Sequence, residues 1–190
     1  MGIAKGRPVL VACLVCMLAC CMTLLAGCGG PSAEEVIREQ LTQELDKLKG
    51  GEVEDFVKGV EGSAADSFDA LGVDAKEYAK LYLDGFSYEI GDIELNDAKD
   101  EATASVTLKI KSMTEIVNAF ADEYAKQVGA MDSWPTQDEL MQLGGDILTQ
   151  VTKAAETKEV TVKLKFVQKD GSWEPDSDSV TKELTSALAE

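Results

Sequence analysis

The sequence predicts an α+β domain, with helices packed on one face of a curved antiparallel sheet of three or four strands, carried behind an export signal. Three observations point there. The apolar residues recur at helical spacing from residue 37 to 82, alternate from 86 to 110, return to helical spacing through 151 and alternate again from 160 to 166. Most changes of period fall on a capping sequence or a turn. The strands come in two adjacent pairs separated by helices, the order of an α+β chain rather than of alternating parallel units.

The first 27 residues read as a lipoprotein signal peptide. Lys5 and Arg7 form a positive n-region, residues 9–25 carry no charge and are almost wholly apolar, and Ala26-Gly27 are small enough for a peptidase site. Leu24-Leu25-Ala26-Gly27-Cys28 has the form of a lipobox. It places cleavage between Gly27 and Cys28 and a diacylglycerol on the Cys28 thiol, the best side-chain nucleophile near neutral pH. Palmitate-type acyl chains, two or three together, hold a protein on a membrane far more firmly than one. The competing reading is an uncleaved anchor, for which the apolar run falls just short of the ~20 residues that span a bilayer. Residues 28–31 are then a tether with a reach of roughly 14 Å at about 3.5 Å per residue, and 32–190 form a single α+β domain.

Within that domain Ser32-Ala33-Glu34-Glu35 opens a helix bearing Ile37, Leu41, Leu45 and Leu48, stopped by Gly50-Gly51. Two shorter helical pieces at 52–60 and 64–71 turn Phe56, Val57, Val60, Phe68 and Leu71 inward. Asp74 caps a helix carrying Tyr78, Leu81 and Tyr82, ended by Gly85. Phe86, Tyr88 and Ile90 alternate, and Ile93 and Leu95 resume in the opposite phase, which predicts a bulge at Gly91-Asp92. After the turn 96–100, Ala102, Ala104, Val106, Leu108 and Ile110 complete a hairpin.

Ser112 to Glu115 is a second capping box, before Ile116, Phe120, Tyr124 and Val128. Thr136 to Glu139 is a third, before Leu140, Leu143, Ile147 and Val151, with a weak point or kink expected at Gly144-Gly145. These two helices read as an insertion between strands. Val160, Val162, Leu164 and Phe166 form the third strand, Asp170-Gly171 signals a tight hairpin into Trp173, and Pro175 keeps the fourth strand short. A last helix carries Val180, Leu184 and Leu188.

Composition excludes several functions. The net charge is −17, and cleavage would remove Lys5 and Arg7 but no acidic residue. Such a surface disfavours nucleic acid and anionic headgroups. With no histidine, the usual general base and zinc ligand are missing. Cys13, Cys16, Cys20 and Cys21 lie in the apolar signal, so no metal site and no disulfide are expected, and no cofactor motif occurs.

The run Leu83-Asp84-Gly85-Phe86-Ser87-Tyr88-Glu89-Ile90-Gly91-Asp92-Ile93-Glu94-Leu95, the strand 102–110 and the ending Phe166-Val167-Gln168-Lys169-Asp170-Gly171-Ser172-Trp173 resemble small bacterial lipoproteins with a nuclear transport factor 2-like (cystatin-like) domain. The resemblance implies a cone of sheet and helices around a candidate pocket, in a family that includes ketosteroid isomerase-like enzymes and many non-catalytic domains. Catalytic members place an Asp or His with a Tyr inside the cone; here only Asp92 and Tyr88 are available.

Four constellations follow. Tyr82, Phe86, Tyr88, Phe166 and Trp173 are candidates for lining an apolar pocket. Lys109, Lys111, Lys163 and Lys165 share the polar phase of two strands and are a candidate anion patch, or else a solvated face balanced by Glu89 and Glu94. Asp170, Glu174, Asp176 and Asp178 are rich in carboxylate but lack calcium-loop spacing; Asp176 or Asp178 is expected to cap the last helix. Cys28 is the lipidation site. The expected function is a non-catalytic binding or interaction domain on the extracytoplasmic face of a membrane, facing an envelope protein or a small molecule. The alternatives are a small-molecule carrier and a ketosteroid isomerase-like enzyme.

Overall fold

A computed structural model describes residues 31–54, 57 and 65–187 of the 190-residue chain. The cleavage site at Gly27 and Cys28, the signal cysteines, Phe56, Val60 and Leu188 lie outside the described residues. Among those described, six helices and four strands follow in the order α1 Ala33–Lys49, α2 Ala65–Ala70, α3 Ala75–Leu83, β1 Ser87–Leu95, β2 Glu101–Lys111, α4 Met113–Gly129, α5 Gln137–Ala154, β3 Thr157–Lys169, β4 Ser172–Pro175 and α6 Ser177–Ala187. The sheet is an open antiparallel meander, β1-β2-β3-β4.

Local chemistry sets the boundaries. Ser32 N–H donates to the Glu35 carboxylate at 2.7 Å and Ser32 Oγ accepts from Glu35 N–H, closing a reciprocal box at the start of α1. Thr136 and Glu139 do the same for α5. Ser112 supplies only half of its box: its hydroxyl accepts from Glu115 N–H, while the Glu115 carboxylate pairs with Lys158 on β3. At the end of α2, Gly72 at φ 65° lets Val73 N–H reach back to Phe68 carbonyl and Gly72 N–H to Asp69 carbonyl, a Schellman stop. Asp170 and Gly171, at φ 52° and 82°, make the left-handed turn that joins β3 to β4.

The bulge lies where the phase change put it. Ile90 pairs with Val106 and Ile93 with Ala104, so three steps on β1 oppose two on β2. Arg38 from α1 donates to the carbonyls of Ile90 and Gly91, both at 2.8 Å, covering the edge strand where its ladder is broken. α1 and α6 pack on one face of the sheet, against β1 with β4 and against β3 respectively. The core between them contains Ile37, Leu41, Leu45, Ala104, Val106, Leu108, Val162, Leu164, Phe166, Val180 and Leu184.

Two expectations are corrected. Helix α5 runs unbroken through Gly144 and Gly145, which are buried because the turn after α2 lies directly on them. In α4, Ile116 is buried but Phe120, Tyr124 and Val128 are only half-buried, since α4 packs chiefly on α5 and not on the sheet.

Candidate functional site

Tyr82 and Phe86 border an enclosed void of about 10 Å³ with Leu45, Leu48, Leu108, Ile110 and Leu184 among its walls, while Phe166 and Trp173 are packed elsewhere in the core. Such a void is no larger than one water, and its apolar walls offer that water no partner. Tyr88 turns toward α1, where its hydroxyl donates to Asp46 Oδ1 at 2.7 Å and lies 3.4 Å from the Thr42 carbonyl. Burial and the neighbouring carboxylate push its phenol up to about 12. The five aromatics therefore do not share a pocket, and Asp92 is exposed on the bulge while Tyr88 is engaged by α1. Tyr82 donates to the Lys111 carbonyl at 3.0 Å and Thr152 to the Tyr78 hydroxyl at 3.2 Å; burial raises both phenols. These polar groups close the packing of α3 onto β2 and α5.

The four lysines are divided by the strand register. Lys163 and Lys165 lie opposite Ser105 and Thr103, whereas Lys109 lies opposite Glu159 and Lys111 opposite Thr157. The four residues from Ser105 to Lys109 span about 13 Å of strand. Lys111 leaves the set altogether: it is 3% exposed and its ammonium donates to the Leu81 carbonyl at 2.8 Å, at the end of α3. Burial lowers its pKa, and the nearby Asp84 carboxylate opposes that shift. Among the carboxylates near β4, Asp176 caps α6 through Ser179 N–H and Glu174 lies 3.7 Å from Lys169. No cluster of three or more metal-ligating side chains occurs among the described residues.

Sequence reasoning missed one concavity. A groove of about 770 Å³ opens between the turn and helix 69–81 and the exposed face of α5. Its floor is Leu71, Val73, Tyr78, Leu81, Met141 and Gly145, and its rim carries Asp69, Asp74, Glu77, Asp138 and Asp146 against Lys153. Gly145 lets the turn at 71–73 lie directly against α5 at the groove floor: a Cβ there would meet the Leu71 carbonyl and would lie 3.1 Å from a Val73 methyl. The signal was present in the sequence as a Gly-Gly pair inside a strongly periodic helix, where close backbone approach competes with kinking as the explanation.

No helix among the described residues is long and apolar enough to cross a membrane. No protein-family model and no curated protein sequence matches the chain. Among solved structures, a candidate lipoprotein, YcdA, of Bacillus subtilis aligns with 96% of this chain at 18% identity and a TM-score of 0.48. The chain spans 55% of that protein's length.

Proposed function

We propose that the chain is an exported lipoprotein, cut between Gly27 and Cys28 and lipidated on Cys28, whose α+β domain works by binding another envelope protein and not by catalysis. The observation that carries the interaction reading is the contrast between inside and outside. Among the described residues, the void that Tyr82 and Phe86 border is about 10 Å³, while the groove beside α5 is about 770 Å³ and open to solvent. A carrier or a ketosteroid isomerase-like enzyme needs an internal pocket of roughly 300 Å³ or more. The absence of histidine and the structural engagement of Tyr78, Tyr82 and Tyr88 favour the same reading. The nuclear transport factor 2-like resemblance is compatible with it through that family's non-catalytic members.

Metabolic labelling with a fatty acid, followed by native mass spectrometry of the detergent-extracted protein, tests both halves. The expected result is label on the wild type and none on Cys28→Ala, with no small molecule bound at stoichiometry. Label retained by Cys28→Ala overturns the anchor; a stoichiometric small molecule overturns the interaction reading.

A further inference from the structure

The groove beside α5 lies on the side of the sheet where α1 ends, not where it starts: Leu81 lines it and accepts from Lys111 at the end of β2. Helix α1 is capped by Ser32, four residues after Cys28, and runs antiparallel to β1: Arg38 meets Ile90 and Gly91, Asp46 meets Tyr88, and Leu48 borders the same void as Phe86. β2 therefore ends, at Ile110 and Lys111, beside the C-terminus of α1. There Tyr82 and Leu81 of α3 meet Lys111, and α4 leaves at Met113. α5 packs on α3 and α4, with Thr152 beside Tyr78 and Gly145 beside Leu71. The turn entering α5 carries Met131, 38% exposed, and Trp134, 86% exposed, at the end of the helix where Asp138 and Met141 line the groove.

We infer that this membrane-distal groove docks a basic, partly apolar segment of a partner protein. This deepens the interaction reading and rests on it. Lysine or arginine side chains of the segment would meet the carboxylates of Asp69, Asp138 and Asp146, and its apolar side chains would cover Leu71, Val73 and Met141. Charge complementarity selects the occupant: of the five rim carboxylates Asp74 caps α3 and Glu77 pairs with Lys80, which leaves Asp69, Asp138 and Asp146 against Lys153, and the apolar floor separates this place from the merely acidic remainder of the surface. Large exposed apolar side chains beside an apolar concavity are the usual mark of such a surface.

The test uses the lipidated full-length product in nanodiscs of phosphatidylcholine, whose zwitterionic headgroup does not compete for cations. Dye-labelled short peptides of alternating lysine and leucine, lysine and glycine, or glutamate and leucine are titrated by fluorescence anisotropy. Saturable binding is expected for lysine-leucine and not for the other two. The pair Asp138→Asn with Asp146→Asn should weaken it by about tenfold, while Glu34→Gln with Glu39→Gln, the same charge change on α1, should change it less than about twofold. Equal losses in both pairs, equal binding of lysine-glycine, or no saturable binding overturns the proposal. Because fatty acid labelling and mass spectrometry are read separately, a lipidated protein that ignores the peptide rejects the docking site and leaves the anchor standing.

Discussion

At Gly145 the packing leaves no room for one more carbon, and the neighbouring Gly144 shows how much that depends on what stands opposite. A Cβ on Gly145 meets the Leu71 backbone, held in place by the Schellman turn at Gly72; a Cβ on Gly144 comes within 2.9 Å of Leu71 Cδ2, the free end of a side chain that can swing aside. Alanine in a helix gains up to about 1 kcal/mol over glycine, and overpacking against fixed atoms costs about 1–3 kcal/mol. Gly145→Ala should therefore lower stability by about 1–2 kcal/mol. Gly144→Ala should be neutral or stabilising by less than about 1 kcal/mol. Urea unfolding midpoints decide it, and equal shifts for the two variants would show that the Leu71 carbonyl is not fixed where it stands. This is also where sequence reading failed. Glycine in a helix signals either weakness or close approach, and only the partner, 74 positions away in the chain for Leu71 and Gly145, tells which. The same limit applied to Lys111: its alternation placed it outside, but a helix C-terminus from another part of the chain drew it in.

Between elements, legibility followed how local the cause was. Caps at Ser32, Asp74 and Thr136, the turn at Asp170-Gly171 and the bulge between Ile90 and Ile93 are each written within a few residues, and each falls where those residues put it. The half-made box at Ser112 shows the exception, because Glu115 found Lys158, 43 positions on. How deeply a helix is buried is not local at all. α1 and α4 have the same length and similar apolar spacing, yet α1 buries Ile37, Leu41, Leu45 and Leu48 and α4 only Ile116. Val117 of α4 is 41% exposed. With so little apolar area removed from water, α4 should open independently of the sheet. Hydrogen exchange read by mass spectrometry should give 117–129 protection at least about tenfold below that of 102–110 and 37–48. Equal protection would mean that α4 shares the cooperative unit of the core.

For the whole molecule, the sequence showed the class of fold and the order of its parts but left the direction of the helical insertion open. Hydrophobic period says which face of a helix is covered, and says nothing of which end of the sheet the helix leaves by. That direction follows from contacts distant in the chain: Tyr82 with Lys111, Arg38 with the bulge, Gly145 with Leu71. They align the molecule along α1, whose 17 residues span about 25 Å at 1.5 Å per residue. If lipid on Cys28 holds the start of α1 at the bilayer and α1 stands upright on it, the tip carrying Trp134 is held away from the headgroups by about the length of that helix. The expected outcome is measurable with lipids carrying a spin label on the headgroup, in the reconstituted lipidated protein with Trp173→Phe so that Trp134 alone emits. Trp134 emission should be unquenched, whereas a dye on Glu34→Cys, in the first turn of α1, should be strongly quenched. Quenching of Trp134 equal to that of the dye would lay the domain flat on the membrane, bring the acidic rim and the exposed indole to the lipid surface, and leave the groove beside α5 without access to a partner from the distal side.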